Sequence, residues 1–250
     1  MSDYNLSFIS QDDFEQHIAE TLGKYNDSLK GIDLASFNSN VIDPIKLLFD
    51  KEAFKQTFEE TISFELQRQR DKHNTNAIGY FHQNFFKHIA NCEVPNAGWD
   101  VIFHGDKDIF VEMKNKHNTM NSTAAQKTYM RMQNKILEDE NCECYLVEAI
   151  APRSRDVAWT CSVDGQSLRN ERIRRVSMDK FYALTTGIND AFYQMCIQLP
   201  KTIKKLIDEN AVSTIQPDTV IEELKRKNPD MLKALYLLAF NTYEGFDNLV

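Results

Sequence analysis

The chain has few glycines and prolines and no long apolar run. Gly 8 and Pro 6 among 250 residues are too few for a fibrous or disordered chain. The longest apolar run near the end is Tyr236–Phe240, whereas a membrane-spanning helix needs about 18 apolar residues. The first residues, MSDYNLSFISQDDFEQ, have neither the basic nor the apolar region of a signal peptide. We therefore expect neither a membrane-anchored nor a secreted protein.

Cysteine occurs in an odd number and without the spacing of a metal site. None of the five cysteines forms a CxxC pair, and no histidine pair would complete a zinc site. We expect reduced thiols, no structural zinc and a cytoplasmic location. The cysteines are Cys92, Cys142, Cys144, Cys161 and Cys196.

The net charge of −8 is distributed unevenly along the chain. Residues 1–65 hold 13 acids and 5 bases, so the remainder is balanced at 24 of each sign. Residues 113–137 have 5 bases and no acid, and residues 152–175 have 6 arginines and 3 acids. Because the local field steers a polyanion, these basic stretches are compatible with nucleic-acid binding. A solvated surface would have the same composition.

The middle of the chain alternates between helical and strand periodicity. Apolar residues three or four apart predict helices, and alternating ones predict strands. The resulting order, helix, strand, strand, helix, strand, strand, predicts an α/β fold with a small mixed sheet between helical flanks. The predicted helices cover 77–90 and Ser122 to about Leu137, and the predicted strands cover 99–103, 108–114, 145–150 and 157–161.

Two further segments have simpler patterns. Residues 67–76, QRQRDKHNTN, break the apolar periodicity and predict a polar loop. The chain beyond Ser177 predicts mainly helices, with Pro200, Pro217 and Pro229 at helix starts.

Two carboxylates and a lysine converge on the predicted hairpin. The turn at 104–108 lays the strand of Asp100 beside that of Glu112 and Lys114, and the strand period of two puts Glu112 and Lys114 on one face. Converging carboxylates favour a cation between them, and oxygen ligands suit Mg²⁺. Lys114 could hold a water and offset charge during phosphodiester hydrolysis. A surface hairpin with a cross-strand ion pair would show the same residues.

Long stretches around this hairpin resemble a known enzyme family. VEMKNKHNTMNS and QKTYMRMQN, preceded by GYFHQNFFKHI and WDVIFHGDKDIF and followed by CYLVEAIAPRSRD, resemble type II restriction endonucleases that cut GGNCC or GGWCC sites. These belong to the PD-(D/E)XK nuclease superfamily. The resemblance runs from about Glu59 to Phe246. Trp99 stands where the superfamily name has proline, a departure that leaves the acid in place.

The resemblance implies a fold and a division of the chain. The fold would be a PD-(D/E)XK restriction-endonuclease-like α/β core, with a small mixed central sheet flanked by helices and helical N- and C-terminal additions. An acidic helical region, 1–58, would pack on the nuclease core, 59–176. The helical region 177–250 would complete the same domain.

The resemblance also implies roles for individual residues. Asp100, Glu112 and Lys114 would be catalytic, and Asp100, Glu112 and the Met113 carbonyl would hold Mg²⁺, for which Mn²⁺ would substitute. Gln83 stands where the superfamily often has a third acid, and Gln126 lies on the following helix. Both glutamines would contact and orient the metal ligands without binding the metal themselves.

The implied substrate is double-stranded DNA, cut to leave 5′-phosphate ends. A near-palindromic target needs two cuts, so a homodimer with two-fold symmetry is expected. A cognate methyltransferase would protect the host DNA without binding this chain. No membrane partner is expected.

Basic and polar residues near the predicted strand ends are candidates for DNA contacts. Arginine is the commonest partner of guanine, although phosphate contacts are more frequent for any one side chain. Ordinary surface positions are the alternative for each. The candidates are Asn115, Lys116, His117, Arg153, Arg155, Arg169 and Arg172.

Two alternative functions remain open at this point. A repair or recombination nuclease of the same fold would select DNA structure instead of sequence. A non-catalytic DNA-binding protein would not need Asp100, Glu112 and Lys114 together on compatible strands.

Overall fold

The computed structural model describes residues 4–117, 119–209, 216–244 and 246. The chain folds into two compact units. The first contains residues up to 22 and from 77 to 209, and the second contains residues 23–76 and those from 216 onward. The helices α1 (Gln11–Ser28) and α4 (Phe58–Phe85) each pass from one unit into the other.

A mixed six-stranded sheet forms the centre of the first unit, in the order β1-β2-β3-β4-β6-β5. β2, β3, β4 and β6 carry the site described below. β3 is antiparallel to β2 and parallel to β4, which is parallel to β6. The strands are β1 (Cys92–Glu93), β2 (Val101–His104), β3 (Asp108–Lys116), β4 (Cys142–Ile150), β5 (Asp156–Val163) and β6 (Gln166–Ser177). The predicted α/β fold with a small mixed sheet is confirmed.

The two faces of the sheet are covered by different helices. Ile109, Val111 and Met113 of β3 join a core formed with α1, the end of α4, α6 (Met178–Thr186) and α7 (Ala191–Glu209). Phe110 faces the opposite way, into a core with α5 (Ser122–Glu138). The alternation of a strand therefore places Glu112 and Lys114 on the α5 face.

The second unit is helical. It contains the second part of α1, α2 (Leu34–Phe37), α3 (Pro44–Phe54), the first part of α4, α8 (Val220–Lys227) and α9 (Met231–Phe240). Its core includes the fully buried Phe37, Ile62 and Leu235. No described helix of either unit is long and apolar enough to span a membrane.

Three local predictions are wrong. Residues 67–76 are helical, not a loop, because they contain no proline or glycine and an exposed helix needs no apolar stripe. Pro200 lies inside α7 rather than at a helix start. Asn121, not Ser122, caps α5, and its side chain accepts from the Ala124 amide.

The sequence pattern also missed strand β6. Its chain reverses from β5 through Asp164 and Gly165, whose φ angles of 49° and 79° suit a two-residue hairpin turn. Most of its residues are exposed or half-buried, and only Ile173, Val176 and Ser177 are buried. β6 therefore lacks the apolar alternation by which strands are recognised.

Candidate active site

Asp100 lies just before β2, and both its backbone and its side chain form hydrogen bonds with β3. Its amide donates to the Val111 carbonyl at 2.9 Å, and its Oδ2 accepts from the Met113 amide at 2.7 Å. These two bonds fix the carboxylate beside the second half of β3. Gln83 Nε2 donates to the Asp100 carbonyl oxygen at 3.2 Å, so this glutamine holds the backbone of Asp100 and not its carboxylate.

Glu112 and Lys114 are adjacent on one face of β3, as their spacing predicts. Lys114 Nζ donates to Glu112 Oε1 at 2.7 Å. Glu112 has a 14% exposed side chain, whereas that of Lys114 is 30% exposed. The lysine therefore lies on the solvent side of a mostly enclosed carboxylate.

Arg131, one of the 5 bases of residues 113–137, completes the set. Its Nη2 donates to Glu112 Oε2 at 2.6 Å, so both carboxylate oxygens of Glu112 have a cationic partner. Its guanidinium lies 4.0 Å from the centre of the Trp99 ring. The signal in the sequence was the strand parity, which turns Glu112 toward the helix that carries Arg131.

The Glu112 carboxylate acts electrostatically on that of Asp100. Burial raises the pKa of Asp100 above its ordinary value, and the Glu112 carboxylate adds to the increase. The Met113 amide, Lys114 and Arg131 oppose it. A bound cation would relieve this repulsion.

The two carboxylates, Asp100 and Glu112, suit Mg²⁺, which keeps several waters, better than a metal that takes all its ligands from protein. The described residues contain no group of three or more acidic, histidine or cysteine side chains that could hold a metal. Mg²⁺ is commonly bound by one or two carboxylates and keeps several waters, so Asp100 and Glu112 satisfy its needs. Met113 follows Glu112 on β3, and its amide is committed to Asp100. Gln126 is half-buried on α5.

Comparison with known proteins identifies the family. The family model described as Eco47II restriction endonuclease matches residues 6–208. Type II restriction enzyme Sau96I from Staphylococcus aureus is 30% identical over 217 residues, which cover 83% of this chain and 83% of that protein. Type II restriction enzyme Eco47II from Escherichia coli is 29% identical over 215 residues, covering 82% and 89%.

This chain belongs to the Eco47II restriction endonuclease family. The predicted resemblance to type II restriction endonucleases is confirmed, and with it the prediction of an enzyme of this class. The matched segment begins at residue 6, not at Glu59, and ends at 208, not at Phe246. The acidic N-terminal residues are therefore part of what this restriction endonuclease shares with its family.

Beside the carboxylate pair, this restriction endonuclease has a buried ionic cluster. Glu148 of β4, only 1% exposed, is paired with Lys114 in the strand register and accepts hydrogen bonds from Arg155 and Arg175. His117 Nδ1 lies 3.0 Å from Arg155 Nη2 and 2.9 Å from Arg175 Nη2. Burial alone would raise the pKa of Glu148, but the two arginines outweigh it and lower the pKa below its ordinary value.

Five of the seven predicted DNA-contacting residues lie near the carboxyl ends of β3 and β4, in three groups. Lys116 and Arg153 are exposed near the carboxyl ends of β3 and β4. His117 and Arg155 lie at the same end but contact the Glu148 cluster. The Asn115 side chain lies against Gly79 of α4: a Cβ added to Gly79 would be 3.3 Å from Asn115 Oδ1. Asn115 is therefore on the sheet face opposite Glu112.

The structure does not bring Arg169 and Arg172 to the carboxylates. Arg172 Nη1 donates to the Glu140 carbonyl at 2.6 Å, just before β4 begins, and Arg169 pairs with Glu171. Glu148 and Lys114 lie toward the opposite end of β3 and β4. Glu148 follows Cys142 by six steps of extended strand, about 20 Å, along β4.

Proposed function

We propose that this restriction endonuclease hydrolyses phosphodiesters of double-stranded DNA at Asp100, Glu112 and Lys114, with Mg²⁺ as cofactor. The target is a GGNCC- or GGWCC-like site, and the products carry 5′-phosphates. The observation that carries the proposal is the convergence of the half-buried Asp100 carboxylate and the Glu112–Lys114 pair at one point of β3. The family membership supports the DNA substrate.

Each residue of the set has a role that follows from its chemistry. Asp100 and Glu112 would hold the ion through carboxylate oxygens, with the Met113 carbonyl as a third oxygen ligand. Bound Mg²⁺ supplies Lewis-acid polarisation of a phosphate oxygen and a more acidic water. Lys114 donates to Glu112 in the structure and, as an ammonium at the solvent side, would orient the attacking water. Mn²⁺ would substitute because it takes the same oxygen ligands.

Two glutamines would support the carboxylates. The 3.2 Å bond from Gln83 to the Asp100 carbonyl supports a role in fixing that residue's backbone. Gln126 is proposed on the resemblance alone. With Gln83 in the place of an acid, the protein would offer two carboxylates, and Mg²⁺ would complete its coordination with water and DNA oxygen.

For DNA contacts we propose the residues at the carboxyl ends of β3 and β4. Lys116 and Arg153 are exposed there and free of the Glu148 cluster, which favours phosphate contacts. His117 and Arg155 would contribute through the shape of the loop they hold. Asn115, Arg169 and Arg172 remain proposals with less support, because they lie on the other face or toward the other end of the sheet.

One chain carries one such site, whereas a palindromic target is cut on both strands. A homodimer with two-fold symmetry would present two sites to the two strands. The expected location is the cytoplasm, where a cognate methyltransferase would protect the host DNA.

Digestion of a plasmid of known sequence tests the proposal. Purified protein with Mg²⁺ is expected to give discrete fragments whose sequenced 5′-phosphate ends lie at GGNCC or GGWCC sites, and EDTA is expected to stop the reaction. Cleavage at branched or nicked structures without sequence preference would indicate a repair or recombination nuclease instead. DNA binding without cleavage under Mg²⁺ or Mn²⁺ would indicate a non-catalytic binding protein.

A further inference from the structure

Arg131 contacts the proposed catalytic carboxylate from outside the strand pair. Its Nη2 donates to Glu112 Oε2 at 2.6 Å, while Lys114 binds the other oxygen of the same carboxylate. The Arg131 side chain is 44% exposed, against 14% for Glu112. The guanidinium therefore lies at the boundary between the Glu112 carboxylate and solvent.

Aromatic rings fix the position of this guanidinium. Arg131 lies over Trp99 at 4.0 Å, and Lys135, one turn later on α5, lies over Phe110 at 4.2 Å. The two rings are themselves in contact, with centroids 5.6 Å apart. Cations over aromatic faces are attracted by the ring quadrupole. Trp99, at the position of the superfamily's proline, thus forms the platform on which Arg131 rests.

The chemistry of the guanidinium suits more than one anion. Its planar fork matches carboxylate and phosphate oxygens equally well, and it remains charged at all physiological pH values. Glu112 is also a proposed metal ligand, and a bound cation would compete with Arg131 for its Oε2. A guanidinium released from Glu112 while still stacked on Trp99 would stay next to the two carboxylates. The proposed function places the DNA backbone there.

We propose that Arg131 is a phosphate-binding residue of this active site, passing from Glu112 to a non-bridging oxygen of the DNA backbone when DNA and metal bind. Trp99 is its positioning residue, since the ring holds the guanidinium at the carboxylates without touching either reacting group. The inference rests on the proposed function, because it assumes that DNA is cut at Glu112.

Salt-dependent binding tests the phosphate contact. Affinity for a GGNCC duplex is measured with Ca²⁺ in place of Mg²⁺ at several salt concentrations, for wild type, Arg131→Gln and Arg131→Lys. One lost phosphate contact reduces the slope of log K against log salt by about 0.9. We expect this reduction and about tenfold weaker binding for Arg131→Gln. Arg131→Lys keeps the charge and is expected to keep the wild-type slope.

Lys135→Gln is the matched control. It removes a cation from the same helix and from a neighbouring ring, but Lys135 has no bond to Glu112. We expect its slope to equal that of wild type. An unchanged slope for Arg131→Gln, or an equal loss for Lys135→Gln, would overturn the assignment of a phosphate contact to Arg131.

Two substitutions at Trp99 test the platform. Trp99→Phe keeps an aromatic face, whereas Trp99→Leu does not, so we expect weaker duplex binding only for the leucine variant. Equal binding by both variants and wild type would remove Trp99 from the mechanism. Mg²⁺-dependent plasmid cleavage by wild type is measured in parallel. If wild type does not cut, the proposed function fails; if it cuts while the Arg131→Gln slope is unchanged, only this inference fails.

Discussion

At the scale of single residues, the proposed active site places the Asp100 carboxylate in the repulsive field of the Glu112 carboxylate. Asp100 and Glu112 are both partly removed from bulk water, and burial and the Glu112 carboxylate together raise the pKa of Asp100. Lys114 and Arg131 compensate Glu112 directly, whereas the Asp100 carboxylate has a backbone amide as its hydrogen-bond donor. Without a bound metal, Asp100 is therefore the group whose charge is least well balanced.

Asp100→Asn is expected to stabilise the metal-free protein at neutral pH. An asparagine oxygen can still accept from the Met113 amide, and the unfavourable charge is gone. Because the pKa of Asp100 is raised on folding, its ionisation lowers stability as pH rises through that raised value. Thermal unfolding in EDTA should show a higher Tm for the variant at pH 7 and a difference that shrinks in acid. A lower Tm at pH 7 would contradict this account.

Folding shifts the pKa of Glu148 in the opposite direction to that of Asp100. Its lowered pKa means that ionised Glu148 stabilises the fold above the pKa of an unfolded glutamate, and that this stabilisation is lost as pH falls through the lowered value. Glu148→Ala would leave Arg155 and Arg175 without their buried partner, at a cost of about 3 kcal/mol. Urea unfolding measures the loss.

Arg153→Gln serves as the comparison, because Arg153 is exposed in the loop between β4 and β5 that also contains Arg155. It is expected to leave unfolding unchanged while reducing DNA affinity and its salt slope. If Glu148→Ala unfolds like wild type, the cluster does not stabilise the loop. If Arg153→Gln binds DNA like wild type, that loop lies outside the interface.

At the scale of elements, continuity of α4 is the least expected feature. A helix of 28 residues runs through the segment 67–76, whose side chains are mostly polar and exposed. Such a segment is helical through intrinsic propensity and through anchoring at both ends, at Ile62 and Leu66 before it and at Phe81 and Phe85 after it.

Lys72→Pro distinguishes a helix from a loop at this point. In the interior of a helix, proline removes a hydrogen bond and clashes with the preceding turn, at a cost of about 3 kcal/mol. Lys72→Ala, at the same exposed position, is expected to change stability by less than about 0.5 kcal/mol. Equal urea unfolding of the two variants would show that the segment is not helical in solution.

The elements show what a sequence pattern can and cannot reveal. Strand β3 was predictable because alternation sorts Ile109, Val111 and Met113 from Phe110 and Glu112, and the same alternation placed Glu112 beside Lys114. β6 was not predictable from the sequence. It is a strand because it pairs with β4 and β5, and its side chains do not alternate between apolar and polar. Backbone pairing leaves no periodic signal in side chains.

The missed members of the site follow the same logic. Arg131 and Arg175 are ordinary surface residues by sequence, and only the packing of α5 and the pairing of β6 bring them to Glu112 and Glu148. Arg155 lies near the end of a strand, as predicted, yet its side chain turns inward to Glu148 on the preceding strand β4. Local pattern locates an element, whereas tertiary contacts decide where a long side chain points.

At the scale of the whole molecule, an acidic protein acts on a polyanion because its charges are segregated. The first 65 residues account for the full net charge of −8, and the stretch 113–137, which includes Lys114, Lys116 and Arg131, has bases only. A local positive field is what a DNA-cutting site requires. Within the first unit, the Glu112–Lys114 pair lies in the carboxyl-terminal half of β3, and Asp100 and Arg131 contact that half from outside it.

Glu112, with Asp100 and Lys114, is the proposed place at which DNA is cut. The most direct test is cleavage of a duplex containing a single GGNCC site by wild type and by Glu112→Gln, with duplex binding measured on the same samples. We expect Mg²⁺-dependent cleavage to fall by about a thousandfold or more, because the variant loses a metal-binding carboxylate, while binding is retained. Cleavage by Glu112→Gln at the wild-type rate would contradict the account and place the active site elsewhere in the chain.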